Sequence, residues 1–303
     1  MKYIFLDIDR TILFSERCVD EEFPQINCQM KNPIIVEHIQ KTNGTYYNSY
    51  MQSKDLEYLS ILSNSYHYTQ TIAITSRSES QFLRLTDYIQ PNYAIIDRGM
   101  RLLVRKGNKY EEDKSFSQLW LEHLSMQEDL DNIILLQKEY PALLLRDNCY
   151  LQLPKAFVKK IYTDKDKAKD FFDRVDSHNL FVEVCNDKFY IFPLWVNKGL
   201  AISYFKVKNN ISNKDCIAAG DSWMDLKMRH CVDTFYYSTL SLVPINEPPP
   251  VHIKNNVIYK SNELPLTGIF SLDDYRNVRM IKPTELCKTL MNYSLLGMPE
   301  YTW

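Results

Sequence analysis

Glycine is scarce in this chain: seven residues in 303, where ordinary usage of about 7% would place roughly twenty-one. No G-x-G occurs, which argues against a dinucleotide-binding fingerprint, and no Walker-type phosphate loop is present. The cysteines at 18, 28, 149, 185, 216, 231 and 287 are scattered and include no C-x-x-C. That spacing excludes a disulfide framework or a zinc knuckle and points to a reducing, cytoplasmic compartment. No apolar run approaches the ~18–20 residues that a membrane-spanning helix needs. The opening segment meets an acid at Asp7 and is not expected to act as a signal peptide. Charge of one sign is also lacking, with a formal net charge of −2, so no electrostatic footprint for nucleic acid stands out. The histidines show no metal-ligating repeat such as H-E-x-x-H.

What is present is a globular composition, with 45% hydrophobic and 24% charged residues. The length suggests two domains, or one large domain carrying an insertion. Tyr3-Ile4-Phe5-Leu6-Asp7-Ile8, Thr71-Ile72-Ala73-Ile74-Thr75, Tyr93-Ala94-Ile95-Ile96-Asp97, Cys216-Ile217-Ala218-Ala219-Gly220 and Thr234-Phe235-Tyr236-Tyr237 read as buried strands. Helical patterns separate them: one opened by Ser53 as N-cap, one through Phe82, Leu85 and Ile89, and a short one after Met224. Strands alternating with helices predict an α/β fold with a Rossmann-like parallel sheet. The pattern changes in the middle. Leu102-Leu103-Val104 reads as a strand and 116–140 as a long amphipathic helix. Arg146-Asp147-Asn148-Cys149 and Asn186-Asp187-Lys188 read as hairpin turns, with a charged helix over 165–176 between them. We therefore expect a catalytic core of residues 1–98 and 194–303, interrupted by an α+β cap domain over 99–193. Pro248-Pro249-Pro250 reads as a rigid loop.

The chemistry gathers at strand ends. Asp7 and Asp9 lie two residues apart just past the first strand, so both reach one site. The crevice beyond the carboxyl ends of a parallel sheet is where such folds place ligands. One acid can act as nucleophile while the other gives and takes a proton. D-x-D alone is weak evidence. It is joined by Gly220-Asp221-Ser222-Trp223-Met224-Asp225, which brings two more carboxylates to the same edge. Four acids at one rim call for a divalent cation, and oxygen-only ligands suit Mg²⁺. Thr75 adds a hydroxyl at the end of the second strand, and Lys198, followed by Gly199, adds a cation for phosphate oxygens.

In these residues the chain resembles the haloacid dehalogenase superfamily of phosphohydrolases. The match is Asp7-x-Asp9-x-Thr11, Ile74-Thr75-Ser76-Arg77, Lys198-Gly199 and Gly220-Asp221-Ser222-x-x-Asp225. The spacing is similar to the Cof-type and sucrose-phosphatase branch, whose cap follows the third core strand. The resemblance implies a Mg²⁺-dependent phosphatase in which Asp7 forms an aspartyl-phosphate and Asp9 protonates the leaving alcohol, then activates water. It implies that Thr75, Ser76 and Lys198 bind the phosphoryl group. Asp7, the backbone carbonyl of Asp9 and Asp221 would hold the metal, with Asp225 behind them. The implied partner is a small phosphorylated metabolite, with sugar phosphates as the leading class. Rival readings are a phosphomutase or phosphotransferase, a phosphatase of nucleic-acid ends, and a binding protein with a vestigial site.

The chain departs from the family pattern where Arg10 and Ser76 replace usual glycines and Arg98-Gly99 replaces a common Asn-Gly. Arg10 either points away from the site, the reading favoured here, or adds a phosphate or substrate contact. Arg146 and Lys188 are specificity candidates in the cap. The stretch about 16–52 is longer than most relatives have. Ile34-Ile35-Val36 and Thr45-Tyr46-Tyr47 predict a hairpin turning at Gly44, and we expect an accessory lid contributing His38, Tyr46 or Tyr50.

Overall fold

A computed structural model of the chain describes residues 1–16, 18–22, 30, 32–40, 43–65, 67–121, 144–148, 158–162, 180–185, 188–193, 197–238, 251–254, 257–260 and 277–295. In chain order the elements begin with β1 (Lys2–Leu6), β2 (Phe14–Ser15), β3 (Pro33–Gln40), β4 (Tyr46–Gln52), α1 (Ser53–Asn64), β5 (Thr69–Ile74), α2 (Glu79–Leu83) and β6 (Tyr93–Ile96). There follow β7 (Arg101–Lys106), β8 (Lys109–Glu112), α3 (Lys114–Leu121), β9 (Leu144–Asn148), β10 (Val158–Tyr162), β11 (Leu180–Cys185) and β12 (Lys188–Pro193). The chain continues through α4 (Lys198–Asn209), β13 (Cys216–Gly220), α5 (Trp223–Leu226), β14 (Thr234–Ser238), β15 (Val251–Lys254), β16 (Val257–Lys260), β17 (Val278–Ile281) and α6 (Pro283–Leu295).

The first unit, Met1–Asp113 with Asn197–Val243 and Asp274–Trp303, is built on an eight-stranded sheet in the order β17-β14-β13-β1-β5-β6-β7-β8. From β17 to β6 every pairing is parallel, and β7 and β8 continue antiparallel. The central strands are apolar runs because helices cover both faces: Ile4, Phe5, Ile72, Ile74 and Ala218 have no exposed surface. β1 lies between β13 and β5, with Leu6 opposite both Ala219 and Ala73. The residues just past these three strands therefore share one edge of the sheet, at its topological switch point. A smaller sheet, β2-β4-β3, belongs to the same unit, and its β3–β4 hairpin turns where expected, with Gly44 at φ +80.

The second unit, Lys114–Val196 with Pro244–Asp273, contains a six-stranded sheet in the order β15-β16-β11-β12-β10-β9. Strands 180–185 and 188–193 pair antiparallel as the sequence predicts.

Several expectations are corrected. The core does not end at residue 98: β7 and β8 extend the core sheet, with Leu102 and Leu103 buried, so the second unit starts at Lys114. Residues 244–273 also join the second unit, because β16 pairs parallel with β11. Arg146-Asp147-Asn148 is not a turn but lies within β9, opposite Lys160-Lys159-Val158. β9 is an edge strand, where charged residues are tolerated and blunt sheet-to-sheet pairing. Ser53 is not an N-cap: β4 runs to Gln52 and α1 follows at once, so Gln52 occupies the cap and its Nε2 donates to Asp55 Oδ2 at 2.8 Å. The helix through Phe82 ends at Leu83 and continues as turns. The helix expected over 116–140 is described only to Leu121, while that over 165–176 and the loop 248–250 lie outside the described residues.

Candidate active site

Asp7 follows β1 directly. Its backbone N–H donates to Ala219 O at 3.0 Å, which ties the position to β13. The carboxylate is 4% exposed and accepts on both oxygens: from Lys198 Nζ on Oδ1 at 2.6 Å and from Thr11 Oγ1 on Oδ2 at 2.9 Å. Lys198 is the first residue of α4, whose N-cap Asn197 accepts from Leu200 N at 2.8 Å. The same ammonium donates to Asp225 Oδ1 at 2.5 Å. Asp225 Oδ2 accepts from Ser222 N at 2.9 Å, Ser222 Oγ at 2.5 Å and Asp221 N at 3.3 Å. Asp225 is thus fully engaged by the protein, and it fixes both the lysine and the loop that carries Asp221. Gly220 is required here by close approach: a Cβ at this position would lie 2.3 Å from Asp225 Cβ.

Asp7, Asp221 and Asp225 each offer a carboxylate oxygen, and these atoms lie within 4.8 Å of one another. Burial, and then the charge of Asp225, push the Asp7 carboxyl above its ordinary range against the pull of Lys198. Asp221 is raised in the same way by burial and by Asp225 and Asp7, and Arg10 and Lys198 oppose that rise. For Lys198, burial works against the charged form, yet Asp225 and Asp7 outweigh it and hold the ammonium protonated. Crowded, desolvated carboxylates with one lysine among them retain an excess of negative charge that a cation relieves. The donors are all oxygens, which fits Mg²⁺.

Asp9 has a different partner. Its carboxylate is half-exposed and is gripped by Arg77, with Nε to Oδ2 at 2.8 Å and Nη2 to Oδ1 at 2.6 Å. Thr75 follows β5 directly, fully buried at the same sheet edge, and its hydroxyl accepts from Arg77 N at 3.2 Å. Ser76 is exposed. Arg10 stands with φ +63, the conformation that explains why glycine suits this position. Its charge acts on Asp221 and opposes the rise of that carboxyl. Arg98 also takes a positive φ, +61, and its N–H donates to Thr75 O at 3.1 Å. Arg146 and Lys188 lie on β9 and β12 of the second unit.

The three expected contributions of the hairpin are not found at the acids. His38 stacks on Tyr46 at 4.1 Å and bonds Asn48, while Tyr50 packs on a cluster of Phe14, Cys18, Val19 and Met30. The hairpin sends Glu37 inward instead, to Arg77. Sequence reasoning missed Glu37 and gave Arg77 no role. The available signal was a lone acid inside the apolar run Pro33-Ile34-Ile35-Val36-Glu37.

With its mostly parallel eight-stranded sheet, this chain has the fold of solved haloacid dehalogenase-like hydrolases. By sequence, no family model and no curated protein matches the chain. Among solved structures it is similar to yhjK, a haloacid dehalogenase-like hydrolase from Bacillus subtilis, at 14% identity and TM-score 0.55, covering 98% of this chain and 93% of that one. It is also similar to the sucrose-phosphatase of Synechocystis, solved with sucrose and phosphate, at 12% identity and TM-score 0.53, covering 96% and 97%. A third is the trehalose-6-phosphate phosphatase of Aspergillus fumigatus, at 11% identity and TM-score 0.50, covering 97% and 93%.

Proposed function

We propose that this chain is a Mg²⁺-dependent phosphomonoester hydrolase acting on a small phosphorylated metabolite, with sugar phosphates as the leading class. The observation that carries this reading is Asp7 itself: a buried carboxylate at the switch point, held on both oxygens by Lys198 and Thr11, with Asp221 and Asp225 beside it. In this reading an Asp7 oxygen attacks phosphorus and the bond from phosphorus to the alcohol oxygen breaks. Asp9 gives its proton to the departing oxygen. Water then attacks the phosphoryl group as Asp9 takes its proton, and the bond to Asp7 breaks, releasing phosphate and restoring both carboxyls. Lys198 offsets the charge between Asp7 and the phosphoryl oxygens, while Thr75 and Ser76 bind those oxygens.

Mg²⁺ would be held by Asp7, Asp221 and the backbone carbonyl of Asp9, with Asp225 supporting them. When bound it would neutralise the carboxylates and the phosphate charge. Arg10, whose charge acts on Asp221, would meet a phosphate or substrate oxygen. Arg146 remains a candidate substrate contact of the second unit. The sugar-phosphate preference is supported by the names of two structures of like fold, the sucrose-phosphatase and the trehalose-6-phosphate phosphatase. A cytoplasmic setting fits the buried free thiols of Cys18, Cys216, Cys231 and Cys287. Among the described residues no helix is long and apolar enough to cross a membrane.

The test is a panel of phosphorylated metabolites and p-nitrophenyl phosphate, with and without Mg²⁺. We expect metal-dependent phosphate release that Asp7→Asn abolishes. Full activity in Asp7→Asn refutes the mechanism. Phosphoryl transfer to an added sugar in place of release would make the protein a phosphotransferase.

A further inference from the structure

The β3–β4 hairpin interrupts its own alternation at one point. Its ladder shifts register between Ile35 and Glu37, a β-bulge, so that the consecutive residues Val36 and Glu37 are both buried. Val36 joins the apolar core, while Glu37, with a side chain 2% exposed, faces Arg77. Arg77 Nη1 donates to Glu37 Oε1 and Nη2 to Oε2, each at 2.9 Å. The opposite edge of the guanidinium takes Asp9, and Nη1 also donates to Gln81 O at 3.3 Å. All five guanidinium N–H groups are thereby used. Arg84 Nε adds a second bond to Glu37 Oε1 at 3.2 Å.

Burial would drive the Glu37 carboxyl towards neutrality, yet the bonds and charges of Arg77 and Arg84 hold its pKa below the ordinary range. A buried ion pair is seldom more stabilising than an apolar pair of equal volume, so stability alone does not account for this acid. Orientation does. With one edge locked on Glu37, the guanidinium is left a single direction in which to present its other edge.

We propose that Glu37 is a positioning residue for phosphoryl transfer: through Arg77 it aims the Asp9 carboxyl, making the β3–β4 hairpin a working part of the site. This rests on the reading of Asp9 as the acid that protonates the leaving alcohol. It predicts a loss that depends on how much the leaving group needs that proton. A nitrophenolate needs little, and an alkoxide needs much.

The test compares kcat/KM for p-nitrophenyl phosphate, phenyl phosphate and an alkyl phosphate that the wild type hydrolyses. This constant covers only steps up to loss of the alcohol. For Glu37→Gln we expect a change within about threefold on p-nitrophenyl phosphate and a loss of roughly tenfold or more on the alkyl ester, part of the ~10²–10⁴ that a general acid contributes. Glu37→Ala should do the same more strongly, and if it does not fold, the near-isosteric Gln variant carries the test. Tyr46→Ala, which unstacks Tyr46 from His38 in the same hairpin, should leave the leaving-group dependence unchanged. Equal losses by Glu37→Gln on all three esters, no loss at all, or the same steepening in Tyr46→Ala would overturn the proposal. An active wild type silenced by Asp7→Asn, with a flat Glu37→Gln profile, sinks this inference alone. A wild type that hydrolyses none of the esters sinks both.

Discussion

Replacing Lys198 with methionine shortens the side chain by one atom and removes its charge. In the wild type that ammonium bridges Asp7 at 2.6 Å and Asp225 at 2.5 Å, and all three side chains are buried. Without it two carboxylates face each other in a desolvated site. Removing one partner of a buried pair costs about 3–5 kcal/mol, because the charge left behind is uncompensated. At about 2–4 °C per kcal/mol, the melting temperature should fall by an amount of order 10 °C.

The pH dependence gives the sharper test. Asp7 already titrates at about 7 in the fold, against 3.8 unperturbed. A carboxyl whose folded pKa is raised contributes stability at low pH, and that contribution is lost as pH rises through the folded value. Loss of the lysine raises Asp7 further, so the variant should be far less stable than wild type at pH 8. The gap should narrow towards pH 4–5, where Asp7 is protonated. Calorimetry at both pH values checks this. An equal deficit at both, or none at pH 8, would refute the electrostatic account of the Lys198 pairs.

Asp55 offers an independent titration. Burial raises it to about 6 despite bonds from Gln52 and Cys287, so wild-type stability should fall as pH rises from 4 through 6. Asp55→Asn should remove that slope and gain about 1–3 kcal/mol at pH 8, measured by urea unfolding. Gly220→Ala forces a Cβ into Asp225 and should cut the proposed phosphatase activity roughly tenfold or more, since displacements near 1 Å can cost ~10²-fold. Gly44→Ala, at φ +80 with open space around it, should lower stability by about 1 kcal/mol and leave kcat unchanged.

The core of the fold was legible in the sequence because its strands are short apolar runs punctuated by acids and turns. Each of β1, β5, β6, β13 and β14 lies where its run of hydrophobic residues stands. The limits of the units were not legible. Whether Leu102-Leu103-Val104 closes one sheet or opens another depends on which edge it meets, and β6 supplied that edge. The polar run at Arg146 resembles a turn by composition, yet an edge strand accepts the same residues.

At the site the same division holds. Asp7, Asp9, Thr75, Lys198, Asp221 and Asp225 were marked by the sequence alone, because each follows a core strand within five residues or opens a helix. Local order along the chain therefore delivers Asp7, Thr75, Asp221 and Asp225 to one sheet edge. Only the tertiary structure decided which acid meets which base. Lys198 lies between Asp7 and Asp225, Asp9 turns to Arg77, and Arg77 turns to Glu37. Glu37 and Arg77 are joined across forty positions by a bulge that reverses the facing of one residue. No periodicity encodes that reversal: it follows from the sum of packing on both sides of the strand.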